Sequence, residues 1–433
     1  MFESVTNYFK WLLVILTLLY VPYGILLTLI VFLFLYFRGN LSNLDLLLLY
    51  FLIFFVQNVN GGDGTSDLGS LRYSLIFVSF LKSNNGFSFR SLFSKAIYFP
   101  LLFLFLLLHS LFFSYDPFNS LVELSSFTLM IFFTYKSSYF GSIPERNVIV
   151  NNIEAMFIAI IICSAFSIFQ PAISYLKNGV GFQGISLHPN AFGIVLAPFT
   201  GFLLIKLFNK FSKKDFVFFI FSFVFTYLSL SRTSLLSIFL GLAVIVMINS
   251  KLRRLITKKI LVLFSLGSIL LLFYYSKINS FIFRFLNKSN AETIQDSFIA
   301  SRGSLVENQI DNIIIHPFFG IGFKMPSDLI PLNNPLTIGK AYEKGNLFLA
   351  SIEELGVIGA IILLLTIISL LKIEKQKNSP FLIITLIALF TNFGEATLFS
   401  VGGIGVLIWT FVFLCMHNGI LEDKLIRVNK KVN

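Results

Sequence analysis

Arg232 stands in Ser229-Leu230-Ser231-Arg232-Thr233-Ser234, a polar knot between two apolar runs. An arginine flanked by hydroxyls at the start of a helix joins a planar fork of donors to unpaired backbone N–H groups, which suits a phosphate. The same residue also reads as an arginine snorkelling to lipid headgroups. Arg302 carries the same two readings. It precedes Val306 by four, on the apolar stripe Val306, Ile310, Ile313 of a helix expected from Arg302 to Ile315, with Ser304, Glu307 and Asp311 on the other side. A cation on such a stripe points inward and needs a partner. Two arginines in different segments could converge on one diphosphate.

His188 opens Leu187-His188-Pro189-Asn190 just before a span, and His316 opens His316-Pro317-Phe318-Phe319-Gly320-Ile321-Gly322. Both read first as the ends of helices, where Pro in a first turn is common. No metal-ligand spacing joins them, so neither a metal nor another cofactor is expected. Glu343-Lys344-Gly345-Asn346 lies where a long polar stretch returns to apolar sequence, and Glu353 and Glu354 follow one to two turns into the next run. Carboxylates there can be solvated helix ends. If Arg232 and Arg302 hold a diphosphate nearby, Glu343 becomes a candidate base, since base work needs a carboxylate within hydrogen-bond reach of an attacking hydroxyl. Glu395, in Thr391-Asn392-Phe393-Gly394-Glu395, is a further candidate of the same kind.

The elements that must position these residues are apolar helices. The chain has 433 residues, 56% hydrophobic and 12% charged, with 55 Phe and a mean hydropathy of +0.85. That excludes a soluble protein and predicts an all-α, polytopic transmembrane helix bundle. Spans are expected near 11–37, 42–57, 69–81, 96–114, 118–135, 149–170, 190–208, 216–230, 233–249, 259–275, 346–371, 380–394 and 402–417. The first run contains Val21-Pro22-Tyr23-Gly24, so it is one kinked helix or a tight pair, and the count is about 13 or 14. It is too long for the core of a cleavable signal peptide.

The net charge of +12 reflects orientation rather than nucleic-acid binding. Lysines and arginines cluster around 82–95, 206–214, 251–259, 372–377 and 424–431, on alternate loops, which predicts that these loops and the C-terminus are cytoplasmic. Residues 1–275 then form transmembrane helices with short loops, and 276–345 a large external loop containing short amphipathic helices. Residues 346–417 return as spans and 418–433 form a cytoplasmic tail. Cys163 and Cys415, both in apolar runs, give no disulfide framework.

Ser186-Leu187-His188-Pro189-Asn190-Ala191-Phe192-Gly193, the Arg232 knot, Ser301-Arg302 leading to His316 through Gly322, and Gly345-Asn346-Leu347-Phe348-Leu349 with Glu354-Leu355-Gly356-Val357-Ile358-Gly359 follow in this order over roughly residues 180–375. Together with the large external loop, this series resembles the bacterial O-antigen ligase and O-antigen polymerase family. The resemblance implies a metal-independent membrane glycosyltransferase of the GT-C type at the outer face of the bacterial inner membrane. Its donor would be a glycan on undecaprenyl diphosphate, and polysaccharide assembly proteins and membrane lipid would be its other partners. Arg232 and Arg302 would hold the diphosphate and stabilise charge on the leaving group, with Lys344, His188 and His316 completing the expected binding set.

One departure separates this chain from the ligases that transfer to lipid A core. They carry a catalytic His before the Asn at the end of the large loop, where this chain has Gly345-Asn346. The expected catalytic set is therefore Arg302 with Glu343 or a neighbour such as Glu353, and the expected reaction is polymerisation of lipid-linked repeat units. A ligase is the alternative. A lipid-linked glycan flippase or transporter, a reading of another class, would call for internal repeats and charges deep within spans.

Overall fold

The computed structural model of the protein describes residues 2–56, 69–81, 98–175, 181–248, 294–327, 344–371 and 380–432. Among these the regular structure is helical: α1 Phe2–Tyr20, α2 Gly24–Phe37, α3 Asn43–Phe55, α4 Tyr73–Leu81, α5 Tyr98–Phe112, α6 Pro117–Ser137 and α7 Ile143–Ser167. There follow α8 Pro189–Asn209, α9 Lys213–Leu228, α10 Arg232–Ile248, α11 Ile294–Ile315, α12 Leu347–Leu371, α13 Pro380–Phe390 and α14 Ile404–Val432. The only extended pairing among the described residues is a single antiparallel bridge between Val56 and Ser186.

Helix starts follow local chemistry. Ser42 and Asp45 form a reciprocal capping box at α3. Asp116 and Ser142 cap α6 and α7, each with proline in the first turn, and Ser212 caps α9. These side chains satisfy backbone donors that have no partner inside the helix. The first apolar run is a tight antiparallel pair. Tyr23 takes a left-handed φ of 55° between α1 and α2, and Trp11 and Phe32 meet across the hairpin at 6.0 Å.

Among the described residues four helices are long and apolar enough to cross a bilayer: α7, α8, α12 and the Ile404–Glu422 part of α14. Six shorter apolar helices accompany them, so the chain is a multi-pass membrane protein. The span expected at 259–275 lies outside the described residues. The Ile404–Glu422 part of α14 is the most enclosed of the four, with Trp409, Phe413 and Met416 fully buried, whereas α12 turns Ile361, Leu364 and Ile368 outward.

Polar clusters pin the end of the bundle opposite the motif residues. Lys10 pairs with Asp45 at 2.5 Å, and Asn152 joins both Asp45 and Trp11. Lys206, near the end of α8, bridges Glu154 and Asp215 at 2.9 and 3.3 Å. Since α8 is capped by His188 at its start and carries Lys206 in its last turn, one helix runs between the two ends of the bundle.

Candidate active site

The site grows from a break in α12. Gly356 has φ 68° and ψ 177°, a conformation open essentially to glycine alone, and it interrupts the helical hydrogen-bond ladder. Residues 316–322 repair that ladder. Ile321 and Gly322 donate their N–H groups to the freed carbonyls of Glu353 and Glu354 at 2.9 and 3.1 Å. On the other side of the break, Val357 and Ile358 donate to Pro317 and Phe318 at 2.9 and 3.4 Å. The glycines permit this approach, since a Cβ on Gly320 would lie 2.5 Å from the Glu353 carbonyl oxygen. Two of the sequence motifs are thus one structural unit.

His316 stands at the edge of that unit, its Nε2 2.6 Å from the Tyr115 hydroxyl. His109 Nε2 hydrogen-bonds the Phe319 carbonyl, and Phe113 stacks on Phe319 with ring centroids 4.0 Å apart. The segment is therefore clamped from α5 as well as from α12.

Beneath it lies a buried ion group. Lys344 contacts Glu353 at 2.9 Å and Glu354 at 3.0 Å, with all three side chains under 10% exposed. Asn312, on α11, donates from Nδ2 to the other oxygen of Glu353 at 2.8 Å and to the carbonyl of Ser327 at 2.8 Å. The backbone N–H of Lys324 donates to the second oxygen of Glu354 at 2.9 Å, while its ammonium pairs with Glu123. Both oxygens of Glu353 are thus engaged, and the residue is fully buried. It could meet an incoming hydroxyl only by giving up Lys344 or Asn312.

The inward face of α11 departs from the expected apolar stripe. Gln309 and Asn312 are buried, whereas Ile310 is 43% exposed and Ile314 and Ile315 are exposed too. The physical reason is the Asn312 bridge, which makes the polar side the one that packs against α12. Both polar atoms of the Gln309 amide are buried without a hydrogen-bond partner. Neither asparagine nor glutamine stood out in the sequence, although their three-residue spacing on a helix was the available signal.

The other half of the site forms around the start of α8. His188 caps the helix, its Nδ1 accepting from the Asn190 N–H at 3.1 Å. Gly193 seats the Arg232 knot, because a Cβ there would come within 2.6 Å of both Ser229 Oγ and Ser231 Cβ. Leu230 turns through a left-handed φ of 55°, and Arg232 follows as the half-buried first residue of α10. The turn after α13 closes on this knot, with Gly394 so near Thr233 that a Cβ would lie 1.9 Å from its Cγ2.

That turn joins the two halves. Asn190 Nδ2 donates to Glu395 Oε1 at 3.0 Å, and the Ala396 N–H donates to the Lys344 carbonyl at 3.0 Å. His188, Arg232, Lys344 and Glu353 consequently belong to one connected end of the bundle, and His316 opens the 316–322 segment, bonded to Tyr115. Glu343 lies outside the described residues. Arg302 lies within α11, seven residues before Gln309, and its side chain is outside the described part.

Residues 217–364 match the Wzy_C family model, O-antigen ligase. No curated protein matches the chain. The matched segment runs from α9 into α12, and it contains the Arg232 knot, position 302, the 316–322 segment and the buried ion group but neither His188 nor Glu395. The match covers about a third of the chain and agrees with the resemblance of the motif order to the O-antigen ligase and polymerase family.

Proposed function

We propose that the protein polymerises lipid-linked oligosaccharide repeat units of an O-antigen, capsule or exopolysaccharide at the outer face of the bacterial inner membrane. The observation that carries this reading is the convergence of the starts of α8 and α10, the Lys344 segment and the broken helix α12 at one end of the bundle. The similarity of residues 217–364 to the O-antigen ligase family model, a family of membrane glycosyltransferase-like enzymes, supports the reaction class.

The donor is a glycan on undecaprenyl diphosphate. Arg232 at the head of α10 and Arg302 on α11 bind the diphosphate, Arg because its planar fork keeps its charge and takes two phosphate oxygens at once. An acceptor-sugar hydroxyl attacks the anomeric carbon and forms the new C–O bond. The C–O bond to diphosphate breaks, the diphosphate leaves with the electron pair, and the hydroxyl proton passes to a base. Donors fixed in place around the leaving group lower the barrier because they need not reorganise as charge develops. Lys344, held by Glu353 and Glu354, and His188, whose Nδ1 caps α8, hold the site together around the diphosphate.

Gly345 where ligases to lipid A core place a histidine favours the polymerase. Purified protein incubated with lipid-linked repeat units alone tests this. Lengthening without another acceptor is the expected result. Transfer only after a different acceptor is added identifies a ligase, and movement of lipid-linked glycan across a vesicle membrane without new bonds identifies a flippase.

A further inference from the structure

Arg72 ends the short helical turn Gly69–Arg72 that leads into α4. Three aromatic rings surround its guanidinium, with centroids 5.2 Å (Phe54), 5.3 Å (Tyr73) and 5.5 Å (Tyr50) from Cζ. The Tyr50 hydroxyl, which donates to the Val401 carbonyl at 2.9 Å, also lies within reach of the charge. Lys10, Lys206, Lys214, Lys324 and Lys344 each meet a carboxylate, whereas no carboxylate among the described residues pairs with Arg72. Its Nε is enclosed without a hydrogen-bond acceptor, although the residue as a whole is only half-buried. Ring faces attract a cation but do not replace the oxygen acceptors that its N–H groups lose on leaving water.

The backbone makes room for this cage. A Cβ on Gly402 would lie 2.4 Å from Arg72 Nη2, and one on Gly403 would lie 2.5 Å from the Phe54 ring. These glycines close the connection 394–403, whose opposite end seats Gly394 on Thr233 and ties the Ala396 N–H to the Lys344 carbonyl. Between the two ends the connection is held by the Asn392 side-chain oxygen, which accepts from the Thr397 and Leu398 N–H groups at 2.8 Å. Trp409 Nε1 donates to the Leu398 carbonyl at 3.0 Å. The end of α3 is fixed here as well, since the Leu187 N–H, next to His188, donates to the Phe55 carbonyl at 3.3 Å. Arg72 therefore stands at the same end of the bundle as Arg232, and one connecting segment runs from the Arg232 knot to the Arg72 cage.

Joining two lipid-linked repeat units brings two diphosphates to the protein at once. The donor gives up the one assigned above to Arg232 and Arg302. The acceptor keeps its own, one repeat unit away from the hydroxyl that attacks, so the second diphosphate belongs at the same end of the bundle but apart from the first. We propose that Arg72, in the cage of Tyr50, Phe54 and Tyr73, binds the diphosphate of the acceptor glycan. This rests on the polymerase reading above. Arg72 lies outside the segment matched by the family model, so the assignment comes from the geometry alone. A phospholipid headgroup offers the same phosphate chemistry, but an arginine snorkelling to headgroups needs neither three rings nor a glycine cut to its Nη2.

The test uses full-length protein in phospholipid nanodiscs and a labelled lipid-linked donor capped at its non-reducing end, so that it donates but cannot accept. Two acceptors are compared: a repeat unit on undecaprenyl diphosphate, and the same oligosaccharide free of lipid and phosphate. Arg72→Gln is expected to raise the KM of the lipid-linked acceptor by about 10–100-fold, the usual cost of losing a charged hydrogen bond, with kcat and the donor KM little changed. The KM of the free oligosaccharide is expected to stay at the wild-type value. Arg72→Lys keeps the charge without the fork and is expected to fall between Arg72→Gln and wild type. The same shift is expected in phosphate-free detergent micelles. A shift confined to nanodiscs traces to phospholipid headgroups and overturns the proposal. It is overturned equally by the same loss with both acceptors, which marks a structural role, or by a rise in the donor KM alone. Should Arg72→Gln fail to yield monodisperse protein, the wild type decides. Undecaprenyl diphosphate that competes with the lipid-linked acceptor as well as with the donor is the expected result, and equal KM for the two acceptors overturns the proposal. Wild-type protein that forms no glycosidic bond between lipid-linked units defeats the polymerase reading itself, a result distinct from all of these.

Discussion

A Cβ placed on Gly356 would lie 2.0 Å from the carbonyl oxygen of Phe318, which is backbone and has no room to give. The break in α12 and the 316–322 segment are therefore shaped for each other. Gly356→Ala adds this clash to a φ of 68° with ψ 177°, a conformation that alone costs a residue with a side chain about 1–3 kcal/mol. The expected outcome is loss of monodisperse protein or a pronounced drop in Tm. Gly359→Ala is the milder control, because its Cβ would meet the side chains of Leu355 and Phe105 rather than backbone.

The Lys344, Glu353 and Glu354 group predicts a specific pattern of loss and recovery. Removing one partner of a buried ion pair leaves an uncompensated charge and costs about 3–5 kcal/mol. Lys344→Met should accordingly reduce thermal stability sharply. The triple change Lys344→Met, Glu353→Gln, Glu354→Gln removes the charges together and should recover most of that loss in a melting experiment. If the triple variant melts below Lys344→Met, the group is not held together by its charges.

Much of this arrangement was written locally. Ser42, Asp116, Ser142, His188 and Ser212 each precede a helix whose start they cap, so the beginnings of α3, α6, α7, α8 and α9 could be read from short-range chemistry. The inward face of α11 could not. Hydropathy separates apolar from polar, yet an apolar side chain can face either lipid or protein, and here Ile310, Ile314 and Ile315 turn outward because Asn312 is held by Glu353 from 41 residues away. Glu353 and Glu354 were obscure for the same reason. Their position near a helix start suggests solvated carboxylates, and only the distant partners Lys344, Asn312 and Lys324 show that they are enclosed.

Gln309 makes a prediction in which stability and activity move apart. An amide buried without partners costs the fold roughly 1–3 kcal/mol, so Gln309→Leu is expected to raise the melting temperature. Residues that destabilise a fold are often kept for function. If the amide meets sugar hydroxyls of the substrate, the same variant extends lipid-linked repeat units more slowly. A lowered Tm would contradict the first half of this prediction, and wild-type extension the second.

The arginines give the prediction closest to the biology. Losing one fixed donor around a developing negative charge slows a transfer by about 10²–10³-fold. Polymer length depends on how many additions occur before a chain is released, so a slowing of that size leaves products of one or a few repeat units even where some catalysis survives. Arg232→Ala, and separately Arg302→Ala, should therefore abolish long surface glycan at unchanged protein level, seen as a collapsed ladder of glycan sizes on a gel. Arg232→Lys distinguishes the two ways in which a cation could act at this position. A point charge suffices for snorkelling to headgroups and would leave the ladder at full length, whereas a diphosphate held through two parallel bonds needs the guanidinium fork, and the lysine variant would then give short chains. Wild-type chain length in Arg232→Ala would remove the diphosphate clamp from this end of the bundle.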